Sequence, residues 1–268
     1  EIMSDLFNEE IISQATHTKW AGKTVHFARE TDSTNLWIKR LAKEGAPEGT
    51  LALAEFQSAG RGRLGRSWEV PEGTSVMMSI LLRPKFEPQY APTLTLVMGM
   101  AVAKAVKSLG FDVSIKWPND VVVSHKKICG ILTEMGVRDG KIDYAVIGVG
   151  INVNIKEFPE EMVDKATSLY LESGKEFDRS QIPGLVMEAF EKYYEKFAAT
   201  CDLSGLKEEY ESILANYNQP VRVLAKEPYE GVARGITDGG ELLVEKTDGT
   251  IVAVSAGEVS VRGLYSYV

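Results

Sequence analysis

"EFQSAGRGRLGRSW", residues 55–68, decides how this chain reads. Gly60, Gly62 and Gly65 stand in the G-x-G-x-x-G spacing of a dinucleotide-binding turn, and "TLALAEFQ" (50–57) supplies the strand that such a turn follows. The second half of that pattern is missing. A dinucleotide loop opens a helix whose N-terminus meets the pyrophosphate. Here "RSWEVPEGTSVMMSIL" follows, with Pro71, Gly73 and strand-forming residues. Arg61, Arg63 and Arg66 crowd the loop instead, with no acid between Ser58 and Trp68. Clustered guanidinium groups repel one another unless an anion lies among them, and their paired donors match phosphate and carboxylate. Glycine lets the backbone wrap a ligand closely. The stretch therefore reads as a cationic lid, mobile when empty and ordered around an anion. A solvated basic loop is the alternative.

Three further stretches carry chemistry. "KWPND" (116–120) ends the apolar run "DVSIKW" and brings a cation (Lys116), an amide (Asn119) and a carboxylate (Asp120) to one strand edge, although Pro-Asn-Asp is also good turn chemistry. Lys126 and Lys127 open the apolar run "ICGIL", placed to reach a phosphate or to be solvated. "GVGIN" (148–152) ends another apolar run at Asn152, an amide able to read a base or a ribose.

Around these stretches the chain alternates between strand and helix patterns. "STNLWIKRLAKE" (33–44) reads as a helix capped by Ser33 or Thr34 and closed by Gly45 and Pro47. Leu94, Val97, Met98, Ala101, Val102, Ala105, Val106 and Leu109 follow helical spacing up to Gly110. Residues 183–199 and about 204–216 return to helix. "SVMMSILLRP", "DVSIKW", "DVVVSH", "KKICGILTEM" and "YAVIGVGINVN" read as strands. After Pro220 come short alternating strands, the last in "EVSVRGLY" (258–265), with turn signals at Asp238-Gly239-Gly240 and Asp248-Gly249. The expected architecture is an α+β domain over 1–218, with a central mixed β-sheet and packed helices, and a small five-stranded barrel over 219–268.

Bulk properties exclude several classes. A net charge of −8 argues against a global nucleic-acid footprint. The acidic start "EIMSDLFNEE" has no cationic signal-peptide region. Lys104 interrupts the longest apolar stretch, which is too short to span a bilayer. Two cysteines, Cys129 and Cys201, form no disulfide framework and suit a reducing cytoplasm. His17, His26 and His125 are dispersed, without zinc-ligand spacing.

Taken together, "DSTN" (32–35), "EFQSAGRGRLGRSW", "KWPND", "KKICGIL" and "GVGIN" resemble the biotin protein ligase family in order and spacing. The resemblance covers nearly the whole chain from about residue 24. It implies a class II synthetase-like biotin/lipoate ligase domain with a C-terminal SH3-like barrel. It also implies ATP-dependent activation of biotin to biotinyl-5′-adenylate, then transfer to a lysine of a biotin carboxyl carrier domain. Mg²⁺ is expected with ATP, its ligands unassigned. By resemblance, Ser33, Thr34, Asn35 and Gln57 read the ureido ring, with Ser79 a further candidate. Arg61, Gly62 and Arg63 close over biotin and the adenylate. Arg63 and Lys127 hold the biotin carboxylate and α-phosphate. Arg66, Lys116, Asn119, Asp120 and Asn152 lie on the ATP side, and Asp120 is a candidate to orient or deprotonate the incoming lysine. Trp68 and Phe158 are candidates to pack on biotin or adenine. A lipoate ligase shares this fold and chemistry, but the arginine-glycine loop and "KWPND" favour biotin. About thirty residues precede "DSTN", fewer than a helix-turn-helix domain needs. The expectation is a monofunctional, cytoplasmic ligase without DNA binding, with a homodimer possible through an edge strand.

Overall fold

In the computed structural model, which describes residues 7–256, 260–263 and 268, the apolar runs become two sheets. The order is α1 (Glu9–Gln14), β1 (Val25–Thr31), α2 (Thr34–Lys43), β2 (Leu51–Gln57), β3 (Ser75–Leu82), α3 (Thr93–Ser108), β4 (Val113–Lys116), β5 (Asp120–Val123), β6 (Lys126–Arg138) and β7 (Lys141–Asn152). Then come α4 (Leu169–Ser173), α5 (Ile182–Thr200), α6 (Lys207–Ser212), β8 (Pro220–Leu224), β9 (Tyr229–Ile236), β10 (Leu242–Lys246), β11 (Ile251–Val254) and β12 (Ser260–Gly263).

The first sheet has strand order β1-β2-β3-β7-β6-β5-β4. Only β1 and β2 run parallel. Side chains alternate faces along a strand, and the core divides accordingly. Leu51, Leu53, Ile80 and Leu82 join the large core that includes α3 and α5. Ala52, Leu81 and Val146 face Ile38 and Ala42 of α2 in a smaller cluster. Burial on both faces is why β3 is apolar throughout except at Ser75 and Ser79.

Two details differ from the sequence reading. Ser33 stands at the N-cap of α2 but makes no side-chain capping bond, and the Thr34 hydroxyl instead meets Gln57 and Ser79. The expected helix 204–216 shrinks to α6, because the chain at Ile213–Ala215 leaves the helix to bond with Ile115 of β4.

The second sheet is antiparallel, with order β11-β10-β9-β8-β12. Its turns follow the glycine signals, with Gly240 and Gly249 both at φ +84. Residues 258, 259, 264 and 265 of the expected last strand lie outside the described residues. The two sheets are joined by polar bonds, among them Trp117 Nε1 to the Gly240 carbonyl at 2.9 Å. Gln57, Ser75, Lys116, Asp120, Lys127 and Asn152 are terminal or near-terminal residues of their strands. The register Ser75↔Asn152, Lys116↔Asp120 and Asp120↔Gly130 gathers most of them at one end of the first sheet.

Candidate active site

Glycines open the sheet face at that end. Gly130 on β6 and Gly150 on β7 are register partners. A methyl group on either would stand 2.8 or 2.7 Å from the Trp68 ring. Two residues back on the same face of β7, a methyl on Gly148 would overlap Asn35 Oδ1. The glycines of "ICGIL" and "GVGIN" thus make a floor on which Trp68 and Asn35 can lie. Trp68 is delivered by the arginine-glycine loop. Its N–H donates to the Gly60 carbonyl at 3.0 Å, and Gly62 N–H donates to the Arg66 carbonyl at 2.7 Å. Between them, residues 63–65 make one short turn with Leu64 at φ +56 and Gly65 at φ +73. No helix starts there, so the dinucleotide pattern fails in the structure as in its sequence context.

The slot over this floor is lined by Ser33, Thr34, Asn35, Gln57, Arg61, Gly62, Arg63 and Lys127, and Ser79 is not in its wall. Its closed end is polar. Thr34 N–H and Oγ1 lie 2.8 and 3.1 Å from Gln57 Oε1. Ser79, fully buried, places its hydroxyl 2.8 Å from Thr34 Oγ1 and 2.5 Å from Asn35 Oδ1. Asp32 fixes the start of α2: Arg40 grips its carboxylate at 2.8 and 2.9 Å and holds its pKa down to about 2.

Sequence reasoning missed Glu134. Its Oε1 accepts from Asn35 Nδ2 at 3.0 Å, and its Oε2 accepts from Lys39 Nζ at 2.7 Å and faces Arg61 Nη1 at 3.3 Å. Burial alone raises a carboxyl pKa, yet hydrogen bonds from Lys39 and Asn35 outweigh it and keep Glu134 below the usual range. The signal was a carboxylate inside the strand run "KKICGILTEM".

At its open end the slot meets a broader cleft of about 920 Å³, and Gly62, Arg63, Trp68, Asn119 and Lys127 line both. Lys127 Nζ lies 3.0 Å from Asp120 Oδ1 and 5.2 Å from the Trp68 ring centroid. Arg63 donates to Asn119 Oδ1 at 3.1 Å and to the Ala256 carbonyl at 2.7 Å. Burial lowers the Arg63 pKa, with Asp120 opposing the shift. Arg66, Asp120, Asn152 and Phe158 line the broad cleft as expected, and so does Arg262 of β12, which the sequence reading did not single out. Asn152 Nδ2 donates to the Thr167 carbonyl at 3.2 Å. Asn152 Oδ1 and Trp68 Nε1 are buried without a hydrogen-bond partner.

Lys116 is the exception among the expected residues. It is the register partner of Asp120, 1% exposed, and is in neither cleft wall. Burial pushes its pKa from 10.5 down to about 7, with Asp120 opposing that fall and Arg262, Lys127 and Arg63 adding to it.

Residues 27–152 match the model of the Biotin/lipoate A/B protein ligase family, and residues 217–262 match the Biotin protein ligase C terminal domain. The bifunctional ligase/repressor BirA of Bacillus subtilis is 37% identical over 246 residues, covering 90% of this chain and 75% of that protein. The chain belongs to the biotin protein ligase family. Another relative, the biotin--[acetyl-CoA-carboxylase] ligase of Mycobacterium tuberculosis, is 31% identical, with 86% of each chain covered. Among solved structures, the Aquifex aeolicus biotin protein ligase in complex with biotin and ATP aligns with a TM-score of 0.77 at 33% identity, covering 90% of this chain and 99% of that one. In this chain Arg262 of β12 lines the broad cleft, and the Ala256 carbonyl, just past β11, accepts from Arg63.

Proposed function

We propose that this biotin ligase binds biotin in the slot and ATP in the broad cleft. The observation that carries the assignment is the junction between them, where a polar-ended slot opens between Arg63 and Lys127 onto a cleft lined with cations. The biotin carboxylate attacks the α-phosphate, an O–P bond forms, and pyrophosphate leaves with the electrons of the broken P–O bond. Both reactants are anionic. Arg63 and Lys127 hold them together and stabilise charge on the phosphoryl oxygens, so positioning and electrostatics supply the acceleration. No enzyme nucleophile is required.

Thr34, Gln57 and Asn35, backed by Ser79, meet the ureido ring, with Ser33 beside them; Arg61 and Gly62 close the slot. Asn152 Oδ1, buried without a partner, accepts from the nucleotide, and Arg66 and Asn119 lie along the phosphates. Lys116, paired with Asp120, acts as a source of positive potential. In the second step the carrier lysine attacks the acyl carbon and AMP leaves. Asp120, next to Lys127, orients the amine and takes its proton. Mg²⁺ enters on the ATP phosphates: among the described residues no cluster of three His, Cys, Asp or Glu is built to hold an ion.

The acceptor is a biotin carboxyl carrier protein or domain. Residues 1–218 form the catalytic domain and 219–268 the C-terminal one. A homodimer through the first sheet has the outer edge of β1 to use, since among the described residues β1 pairs only with β2 while β4 is bonded to Ile213–Ala215. No described helix is long and apolar enough to cross a membrane; we place the enzyme in the cytoplasm, without a nucleic-acid partner, in keeping with its charge of −8. The test is incubation with ATP, Mg²⁺ and either biotin or lipoate, followed by mass spectrometry of the acyl-adenylate. Biotinyl-adenylate supports the assignment. Lipoyl-adenylate alone overturns it.

A further inference from the structure

We propose that Glu134 is a positioning residue that sets the hydrogen-bond direction at the polar end of the slot, so that Thr34 Oγ1 turns a lone pair toward the ligand's ureido N–H. The inference rests on biotin occupying the slot. Its starting point is an asymmetry between group types. An ionised carboxylate only accepts hydrogen bonds, and Lys39 and Arg61 on Oε2 keep Glu134 ionised. The part of the Asn35 amide 3.0 Å from Glu134 Oε1 must therefore be its NH₂, which also donates to the Leu132 carbonyl at 3.3 Å. Asn35 Oδ1 then faces Ser79, 2.5 Å away, and Ser79 must donate to it.

A hydroxyl has one proton. With that of Ser79 committed to Asn35, the proton of Thr34 is the one shared between Ser79 Oγ at 2.8 Å and Gln57 Oε1 at 3.1 Å. The chain runs one way, from Thr34 through Ser79 and Asn35 to Glu134, and leaves lone pairs on Thr34. Gln57 is oriented separately. Its Oε1 accepts the Thr34 backbone N–H at 2.8 Å, which turns its Nε2 away from Thr34 and offers a donor. A cyclic urea presents N–H donors and one carbonyl acceptor, the complement of this arrangement. Without Glu134 the Asn35 amide is free to turn over; Ser79 then donates to Thr34 Oγ1 and Thr34 to Gln57 Oε1, so the lone pair that faces the ureido N–H is taken. A donor left without an acceptor in a buried site is costly. Glu134 touches no substrate in this scheme; it acts through Asn35, 99 residues away in sequence.

The test measures biotin binding without ATP, and ATP binding without biotin, by titration calorimetry on the full chain. Glu134→Ala is expected to weaken biotin about 10- to 100-fold and to leave ATP affinity unchanged. Glu134→Gln has one acceptor oxygen for both Lys39 and Asn35, so it weakens biotin less, and it decides the question if the alanine variant does not fold. Because Glu134 acts through Asn35, adding Glu134→Ala to Asn35→Ala costs nothing further, whereas a general structural role gives additive losses. Wild-type biotin affinity in both Glu134 variants, additive losses in the double variant, or an equal loss of ATP affinity each overturn the inference. Thr34→Val and Gln57→Ala test the underlying assignment. If they leave biotin binding intact, the slot reading fails; if they weaken it and Glu134→Ala does not, only the role of Glu134 fails.

Discussion

Gly148→Ala is the smallest change that puts the floor of the slot to the test. The added methyl would overlap Asn35 Oδ1, 2.9 Å from Cγ and 3.1 Å from Nδ2. Asn35 is 3% exposed and its amide is held by Ser79, Leu132 and Glu134, so it cannot yield without breaking those bonds. Losing the bond to the charged Glu134 costs about 1.5–3 kcal/mol, and each neutral bond about 1 kcal/mol. Alanine restricts the unfolded chain and returns about 0.4–1 kcal/mol. The net destabilisation is about 2–4 kcal/mol, a fall in Tm of roughly 5–15 °C for a chain of this size. With the ureido end displaced, biotin affinity falls about 10- to 100-fold. Thermal unfolding and biotin calorimetry read the two effects. Gly99→Ala is the control, since its methyl meets only Ile115 and Ile131 at 3.7 and 3.8 Å, ordinary contacts. A Gly148→Ala protein with wild-type Tm and biotin affinity would refute the reasoning.

Lys127→Ala removes the cation at the junction. Pyrophosphate release should fall about 100- to 1000-fold, and a near-normal rate would mean the residue is misassigned. Lys116 makes stability depend on pH. Its folded pKa of about 7 lies below its ordinary 10.5, so between those values the unfolded chain binds more protons and stability rises with pH. Below pH 7 the buried charge is present in the fold, and Lys116→Met should be the more stable protein there. Parallel urea-unfolding profiles against pH for the two proteins would contradict this. Arg179 is 3% exposed and grips Glu55 at 2.9 and 3.0 Å. Arg179→Met strands that carboxylate, and unfolding free energy should drop by about 3–5 kcal/mol; an unchanged urea midpoint would show that the pair carries no such weight.

What the sequence made legible followed from local pattern. Helix spacing from Leu94 to Leu109 became α3, and the glycine turns at 238–240 and 248–249 became hairpins. The arginine loop, "KWPND" and "GVGIN" pointed to the clefts they now line, because each sits where a strand stops and its side chains leave the sheet. Contacts between distant segments were not legible. Glu134 looks like any polar residue on a strand until β6 is set beside α2. Lys116 looks like a phosphate ligand until the turn at 117–119 pairs it with Asp120 and the fold buries it. Gly130, Gly148 and Gly150 have no local reason to be glycine in strands, where the residue weakens pairing. Their reason is the close approach of Trp68 and Asn35. The part played by Arg262 required the second sheet to be docked against the first.

If one continuous site makes an acyl-adenylate from biotin and hands the acyl group to a protein lysine, enzyme mixed with biotin, ATP, Mg²⁺ and a biotin carboxyl carrier domain must label the carrier, as read by intact mass and peptide mapping. The account predicts one biotin on one carrier lysine, dependent on ATP and lost with Lys127→Ala. An unmodified carrier alongside accumulated biotinyl-adenylate would contradict the transfer step, and absence of both products would contradict the account as a whole.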